Sequence, residues 1–258
     1  MIKTIRSLFR LLMATISGKV KTAKKTGIVV VGVQHSAKYG TCPGAAVDSA
    51  NMTALLSKYG TPVVLQDAKA TKAAVSNALL NAVKNNDLAI FFFSGHGGSE
   101  RLGDVSDEAD GKNEFICLYN TYMLDNEIWN IISQAKGRVF MIFDCCHSET
   151  MFRHPEISLR GILKDAENTE EKRIDYGLQP RGKTMNVLIW SGCPDSGLSY
   201  CYDTGGFLTS AVYNVCKSYP KIATYDQIWE CVKRVNRLKM QNPKRTLIGN
   251  GFGGPVFK

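Results

Sequence analysis

The sequence predicts an α/β protein in which helices cover both faces of an open, mostly parallel sheet of six strands. Three observations lead to this fold class. Short apolar runs recur along the chain and have the length of buried strands. Segments with the apolar spacing of amphipathic helices lie between or after these runs. A strand, helix, strand order that repeats in this way is typical of parallel sheets with crossover helices.

Each predicted strand is a nearly continuous run of apolar and β-branched residues. Strands of this composition are covered on both faces, because neighbouring side chains point to opposite sides of the sheet. The predicted strands are Gly27–Val33, Thr61–Gln66, Asp87–Ser94, Arg138–Phe143, Met185–Ser191 and a short final strand, Thr246–Ile248.

Each predicted helix carries apolar residues three or four positions apart, so that they share one face. Gly60 follows the first helix and is a typical helix stop, and the Thr224 hydroxyl is suited to cap the last one. The predicted helices are Ala45–Tyr59, Ala70–Lys84, Leu124–Ala135, Phe207–Lys217 and Tyr225–Lys239.

The chain has 258 residues, of which 44% are hydrophobic, and can therefore bury one large core. We assign residues 27–258 to a single domain and residues 1–26 to a basic N-terminal extension. A glycine-rich acidic loop, Gly97–Asn113, and a long polar connection at residues 149–183 interrupt the strand and helix pattern. Loops of this length are often functional or open to cleavage. The cut points that we predict in the second loop are Arg160, Lys164, Lys172, Arg173, Arg181 and Lys183.

The net charge of +9 is concentrated at the two ends of the chain. Residues 1–26 carry seven basic and no acidic side chains, and residues 217–258 carry nine basic and two acidic ones. The segment between them carries a net charge of −5. An acidic middle suits a cationic partner, although a solvated surface is the commoner explanation. Aromatic residues are not interleaved with the basic ones, so we predict no nucleic-acid partner.

The sequence also restricts where the protein acts. It lacks an uncharged apolar stretch of about eighteen residues, so we predict no transmembrane segment, and Arg10 interrupts the short run that a secretory signal would need. The eight cysteines lie mostly inside apolar segments and form no CxxC pair. We therefore expect a reduced, intracellular and cytoplasmic protein with no structural zinc. We also expect a monomer with no organic cofactor.

A histidine and a cysteine lie where two of the predicted strands end. His96 lies in a Ser-Gly-His-Gly-Gly segment, and Cys145 and Cys146 follow Asp144. The carboxyl ends of neighbouring parallel strands line one crevice, where a thiol and its base can meet. Side chains alternate along a strand, so Cys146 shares a side with Asp144, whereas Cys145 points the other way as a small buried hydrophobe. We predict Cys146 as the nucleophile and His96 as its base.

These two segments are similar to the Ser-Gly-His-Gly and Asp-x-Cys-His-Ser segments of the metacaspases, the caspase-like cysteine peptidases of clan CD. The resemblance covers about residues 27–256 and implies a caspase-like sheet and a cysteine endopeptidase activity. Further similar segments are Asp48 with Asn51-Met52, Leu124–Glu127, Ser191–Cys193 and Gly206–Ala211.

The resemblance implies a role for each matching position around the nucleophile. Cys146 attacks the scissile carbonyl, and His96 assists proton transfer to the leaving amine. The backbone amides of Gly97 and Cys146 hold the oxyanion, where preorganised donors contribute most. His147 and Ser148 are expected only to shape the turn.

The resemblance also implies a pocket for the residue before the cut, formed by Asp48, Ser94 and Asp144. Two carboxylates there pair with arginine or lysine, and arginine is able to bind them bidentately. The expected partners are therefore protein or peptide substrates with a basic residue before the cut. Self-cleavage of a zymogen is expected in the 149–183 loop or near Lys19–Lys25.

Many metacaspases are activated by calcium, and here the corresponding positions are Asp125, Asn126 and Asn113, while Arg153 stands at a further position shortly after the cysteine motif. Only one of the three is a carboxylate, whereas calcium prefers six or more hard oxygen ligands. The glycine-rich loop either supplies further carboxylates or is only a solvated segment, and calcium dependence stays open. The acidic residues of that loop are Asp104, Asp107, Glu108 and Asp110.

Two alternatives from other functional classes remain open at this point. One is a catalytically inactive caspase-like scaffold or interaction module, against which the intact His96 and Cys146 argue. The other is a basic protein whose ends bind a membrane or nucleic acid. Residues 1–25 suit either a cationic amphipathic helix or an inhibitory arm over the crevice.

Overall fold

The computed structural model describes residues 25–100, 113–145, 171–174, 185–192, 201–219, 224–235, 241–254 and 256–257. The α-helices in this part of the chain are α1 (Ala45–Leu56), α2 (Lys72–Asn85), α3 (Asp125–Ile132), α4 (Phe207–Ser218) and α5 (Tyr225–Lys233). The strands are β1 (Thr26–Gly32), β2 (His35–Ser36), β3 (Gly40–Thr41), β4 (Pro62–Gln66), β5 (Leu88–Ser94), β6 (Gly97–Glu100), β7 (Asn113–Cys117), β8 (Tyr122–Leu124), β9 (Arg138–Asp144), β10 (Glu171–Ile174), β11 (Asn186–Ser191), β12 (Cys201–Tyr202), β13 (Gly205–Gly206) and β14 (Lys244–Ile248).

The main sheet has seven strands in the order β10-β14-β11-β9-β5-β1-β4. The pairs from β4 to β11 are all parallel, and β14 is antiparallel to β11. This arrangement confirms the predicted α/β class with an open, mostly parallel sheet. It also brings the carboxyl ends of β1, β5 and β9 to the same edge.

Helices cover both faces of this sheet, as the sequence predicts. On one face α2 and α3 bury Val75, Leu79 and Ile128 in a cluster with Phe91 and Phe93 of β5. On the other face α1, α4 and α5 contribute to a cluster around Phe92, Phe140 and Trp190. Consecutive phenylalanines of β5 therefore enter opposite cores, which is why its apolar run has no polar alternation.

One strand of the sheet is missing from the sequence prediction. The predicted sheet has six strands, whereas β10 adds a seventh at the edge and lies inside the connection at residues 149–183. Its sequence, Glu-Lys-Arg-Ile, is mostly charged and carries no apolar signal. Charged edge strands gain their backbone hydrogen bonds from one neighbour and discourage further pairing, so composition does not reveal them.

The segment predicted as a loop at Gly97–Asn113 is also partly ordered into strands. A small sheet in the order β6-β7-β8 starts at Gly97, where β6 pairs antiparallel with β7. Residues 101–112, which contain the acidic side chains of this loop, lie outside the described residues. The two-stranded hairpins β2-β3 and β12-β13 were not predicted either, because strands of two residues show no periodicity.

The predicted helices exist, but three of them end earlier than their apolar spacing indicates. α1 ends at Leu56 rather than Tyr59, α3 at Ile132 rather than Ala135, and α5 at Lys233 rather than Lys239. Amides just past these ends donate to carbonyls three residues back, which tightens the last turn. The Thr224 cap is confirmed, because its side chain accepts from the Gln227 amide. Within the described residues, no helix has the length and apolar character needed to cross a membrane.

Candidate active site

Three strands end together at the carboxyl edge of the sheet. Ser94, the last residue of β5, lies opposite Gly32 of β1 and Asp144 of β9 in the parallel register. His96 follows two residues after Ser94. The predicted pocket and base therefore start from the same edge, as expected for a ligand crevice in an α/β sheet.

Asp48 reaches this edge from the first turn of α1 and is fully buried. Its Oδ2 accepts a hydrogen bond from Ser94 Oγ at 2.7 Å. The Gly206 amide donates to the same carboxylate, at 2.9 Å to Oδ1 and 3.0 Å to Oδ2. A carboxylate in the first turn of a helix is also favoured by the partial positive charge of the helix N-terminus.

Asp144 is held by the N-terminus of α4. Its Oδ2 accepts hydrogen bonds from the Thr209 amide and the Thr209 hydroxyl, each at 2.8 Å. The side chain is 5% exposed. Thr209 lies in the first turn of α4, so the helix supplies an otherwise unsatisfied amide to the carboxylate.

Two consecutive glycines fit between the carboxylates and the start of α4. A Cβ atom on Gly205 would lie 2.6 Å from Asp48 Oδ1, and one on Gly206 would lie 2.3 Å from Asp144 Oδ2. Both distances are too short for any side chain. Gly205 also has a φ of +111°, a conformation that residues with a side chain rarely adopt. The close approach of backbone to both carboxylates therefore requires the glycine pair.

The ring of His96 is held by a backbone carbonyl. Nε2 of His96 lies 3.1 Å from the carbonyl oxygen of Thr41, at the end of β3. A carbonyl only accepts hydrogen bonds, so Nε2 carries the proton in this contact. In the neutral ring Nδ1 is then the nitrogen left to accept a proton, which is the arrangement that a general base needs.

Cys145 and Asp144 lie on opposite faces of β9. Cys145 is 2% exposed and belongs to the core cluster that contains Met141 and Phe143. Asp144 instead contacts α4, which packs on the other face of the sheet. Cys146, the predicted nucleophile, lies outside the described residues, as do His147 and Ser148.

The backbone after His96 is fixed by the small sheet. The Cys117 amide donates to the His96 carbonyl at 2.9 Å, and Gly97 pairs with Ile116 at the start of β6. Gly97 thus lies next to the base, on an ordered strand. Its assignment to the oxyanion site, together with the amide of Cys146, stays a prediction.

The three residues predicted to bind calcium lie close to one another. Asn126 Nδ2 donates to Asn113 Oδ1 at 3.3 Å, and the Asn126 amide donates to Asp125 Oδ1 at 2.8 Å. One carboxylate and two amides fall short of the six or more oxygens that calcium takes. Among the described residues there is no group of three or more His, Cys, Asp or Glu side chains that could hold a metal ion. Calcium binding therefore stays a prediction.

Sequence reasoning missed the residues that hold the predicted site residues in place. The Thr41 carbonyl gives no signal, because every residue has one. Gly205 and Thr209 lie far along the chain from the carboxylates that they contact. The signs available in the sequence were the Gly-Gly pair just before an apolar helix and the similarity of Gly206–Ala211, which includes Thr209, to the metacaspases.

Comparison with known proteins identifies the family. The family model of the caspase domain, peptidase family C14, matches residues 27–246. The chain belongs to this family. A curated relative, Metacaspase-1A of Aspergillus fumigatus, is 27% identical over 245 residues. The alignment covers 73% of this chain and 59% of the relative, so the chain spans somewhat more than half of the relative's length.

Solved structures share the fold of this caspase domain. A protein from Geobacter sulfurreducens superimposes with a TM-score of 0.66 at 21% identity, covering 88% of this chain and 94% of its own. Caspase-1 from Spodoptera frugiperda superimposes with a TM-score of 0.57 at 13% identity, covering 91% and 90%. The metacaspase resemblance is thus confirmed at the level of the family, and the caspase-like fold is confirmed with it.

Proposed function

We propose that this caspase domain is an endopeptidase that cleaves peptide bonds after arginine or lysine. In this proposal Cys146 attacks the scissile carbonyl. His96 takes the thiol proton on Nδ1 and later gives it to the leaving amine. The amides of Gly97 and Cys146 stabilise the oxyanion.

The observation that carries the specificity is the pair of buried carboxylates at the carboxyl edge of the sheet. Asp48 and Asp144 are both less than 6% exposed and approach the Gly205–Gly206 pair from different elements. The Ser94 hydroxyl and the Gly206 amide orient Asp48, and the amide and hydroxyl of Thr209 orient Asp144. Negative charge at this edge favours binding of a substrate with a cationic side chain before the cut over one with an acidic side chain.

The contact between His96 and Thr41 supports the proposed role of the base. As the ring takes up a proton, it becomes an imidazolium, and the Thr41 carbonyl then accepts from a charged donor. Hydrogen bonds with one charged partner are about twice as strong as neutral ones. The carbonyl thus stabilises the charged state through which the proton passes.

We further propose that the protein cuts its own chain within residues 149–183 or near Lys19–Lys25. Two of the six predicted cut points in the first segment, Lys172 and Arg173, belong to β10, which pairs with β14. Cleavage favours exposed segments that are not hydrogen bonded, which disfavours these two positions. The other four, Arg160, Lys164, Arg181 and Lys183, lie outside the described residues and stay predicted cut points.

Peptide cleavage tests this function directly. The full chain is incubated with four peptides that differ only in the residue before the cut, which is arginine, lysine, norleucine or aspartate. We expect cleavage after arginine and lysine and none after aspartate. A preference for aspartate would refute the proposed pocket.

Two matched cysteine variants test the nucleophile. Cys146→Ala should abolish cleavage, whereas Cys145→Ala should largely retain it, because Cys145 is buried in the core. A thiol-directed probe with an arginine side chain should label the wild type and not Cys146→Ala. If the wild type neither cleaves peptides nor is labelled, the protein is an inactive scaffold instead.

A further inference from the structure

The Thr41 carbonyl that contacts His96 belongs to a small, exposed hairpin. Strands β2 and β3 pair antiparallel, with His35 opposite Thr41 and Ser36 opposite Gly40. His35, Gly40 and Thr41 are exposed. A two-stranded hairpin of this size is not stable alone, so its position depends on what anchors it.

The base of the hairpin is anchored by one side chain, Asp67. Its Oδ1 accepts hydrogen bonds from the Gln34 amide and the His35 amide, both at 2.8 Å. The carbonyl of Gln34 in turn accepts from the Cys42 amide at 2.8 Å, which closes the base of the hairpin next to Thr41. One carboxylate oxygen therefore binds the two consecutive residues at the start of the hairpin.

The tip of the hairpin is anchored separately. The Ser36 hydroxyl is within hydrogen-bond distance of the Tyr119 carbonyl at 2.9 Å and accepts from the Tyr39 amide at 3.0 Å. The Ala37 amide donates to the Tyr119 carbonyl at 2.7 Å. These contacts hold the tip against the segment after β7, whereas the base is held by Asp67 and, one residue earlier, by the Val33 amide, which donates to the Ser94 carbonyl at 2.9 Å.

The backbone of Asp67 adds an independent observation. Asp67 begins a short 3-10 helix (Asp67–Lys69) after β4 and has a φ of +43°. This left-handed conformation is unfavourable for residues other than glycine, although aspartate tolerates it better than most. Strained positions of this kind persist where the surrounding contacts impose them, and they cluster at functional sites. At Asp67 the side chain accepts from two amides of the hairpin segment, and the carbonyl accepts from the Ala70 amide.

We infer that Asp67 is a positioning residue for catalysis: it anchors the β2-β3 hairpin so that the Thr41 carbonyl holds the ring of His96 in the orientation of a general base. The chain of contacts runs from Asp67 Oδ1 to the amides of residues 34 and 35, through the hairpin to Thr41, and from there to His96 Nε2. Asp67 touches neither the ring nor the substrate, so its effect is on orientation. The catalytic part of this inference rests on the proposed function, whereas the orientation of the ring does not.

Three substitutions at Asp67 separate its geometry from its charge. Asp67→Ala removes the acceptor, Asp67→Glu keeps the charge but displaces the oxygen by one methylene, and Asp67→Asn keeps an oxygen at the same place without the charge. We expect Asp67→Ala and Asp67→Glu to lower kcat about tenfold and to leave KM within about twofold, because orientation acts on the chemical step. Asp67→Asn should recover most of this loss.

Asp87→Ala is the matched control. Asp87 Oδ2 also accepts a backbone amide, that of Lys25, at 2.8 Å, but it lies at the amino end of β5, away from His96. This variant loses a comparable hydrogen bond between a carboxylate and a backbone amide, that of Lys25. It should change neither kcat nor the mobility of the His96 ring.

Ring mobility provides a readout that does not depend on activity. Nuclear magnetic relaxation of the His96 ring carbon, assigned by its loss in His96→Gln, should report a more mobile ring in Asp67→Ala and Asp67→Glu than in the wild type and Asp67→Asn. Circular dichroism checks that each variant is folded. If Asp67→Ala does not fold, the comparison of Asp67→Glu with Asp67→Asn tests the role of Asp67.

The outcomes distinguish this inference from the proposed function. An unchanged ring in folded Asp67→Glu, or an equal change in Asp87→Ala, overturns the role of Asp67. A result in which Asp67→Asn behaves like Asp67→Ala overturns it as well, because charge rather than geometry would then be responsible. A wild type that cleaves no peptide overturns the proposed function, and the ring mobility still decides whether Asp67 orients His96.

Discussion

Ser94 donates a hydrogen bond to Asp48 over 2.7 Å, although 46 positions separate the two residues in the chain. The bond joins the end of β5 to the first turn of α1 at the edge where His96 follows. It also orients one oxygen of a fully buried carboxylate. The position of the pocket and the position of the base are therefore coupled through β5.

Ser94→Ala tests this coupling. The variant leaves a buried carboxylate oxygen with one donor fewer, so we expect the free energy of unfolding to fall by about 1 kcal/mol and KM for arginine peptides to rise several-fold. Denaturant unfolding and peptide kinetics measure the two effects. Ser57→Ala is the control, because Ser57 Oγ also donates a hydrogen bond, to the Thr53 carbonyl, but at the exposed end of α1. Equal effects of the two variants would contradict the coupling.

Asp144→Asn tests whether the second carboxylate selects basic substrates. Asparagine has nearly the same shape and keeps an oxygen that can accept from Thr209, so the start of α4 should persist. The charge is lost, and we expect the preference for arginine over norleucine, expressed as the ratio of kcat/KM values, to fall at least about tenfold. A ratio that stays unchanged while kcat/KM falls for both peptides would show that Asp144 supports the fold rather than the specificity.

Gly206→Ala tests the close approach of the backbone to Asp144. A Cβ atom at this position would lie 2.3 Å from Asp144 Oδ2, so the carboxylate or the start of α4 must move. We expect a loss of about 1 to 3 kcal/mol in the free energy of unfolding, together with weaker binding of arginine peptides. Gly253→Ala is the matched control, since no atom lies within 4 Å of its added Cβ. Stability close to that of the wild type in Gly206→Ala would contradict this packing.

The sequence indicates the strands and the chemical groups of the site better than it indicates the contacts that hold those groups in place. β5 was predictable because Phe91, Phe92 and Phe93 form a continuous apolar run, which indicates a strand covered on both faces. All three side chains are buried in the structure. His96 and Asp144 were predictable because each lies where such a strand ends. By contrast, β10 is stabilised by its pairing with β14 and not by its own composition.

The supports of the site depend on contacts between distant parts of the chain. The bond from Thr209 to Asp144 joins residues 65 positions apart, and the ring of His96 contacts a backbone atom of Thr41, 55 positions away. Neither contact needs a residue type that stands out in its own segment. Local patterns therefore identify which groups react, whereas the tertiary structure identifies what orients them.

Calcium dependence is tested by comparing peptide cleavage in excess calcium and in excess chelator. If the predicted site operates, calcium should raise kcat/KM, and Asp125→Asn should reduce this stimulation, because it removes the single carboxylate of the three positions. The asparagine oxygen can still accept from the Asn126 amide, so the local turn should remain. Asp87→Asn, distant from this site, should respond to calcium as the wild type does. Equal activity in calcium and in chelator would remove calcium from the mechanism.

Cys216 on α4 should make the stability of the protein depend on pH in the alkaline range. Burial raises the pKa of its thiol from an ordinary value of 9.0 to about 12, although nearby Lys58 acts in the opposite direction. The unfolded chain therefore loses this proton near pH 9, while the folded protein retains it up to about pH 12. The contribution of this thiol to the free energy of unfolding is fully present below pH 9. It is lost as the pH rises toward 12, by up to about 1.4 kcal/mol per pH unit.

Cys216→Ala should weaken this dependence. We expect the free energy of unfolding of the wild type to fall from pH 9 to pH 11 and that of the variant to fall less steeply. The difference at pH 7, where the thiol is protonated in both states, gives the packing effect of the substitution alone. Part of the fall should remain in the variant, because burial also raises the pKa of Tyr225 to about 12. Parallel curves for wild type and variant between pH 7 and pH 11 would show that the Cys216 thiol ionises in the folded protein as readily as in the unfolded chain.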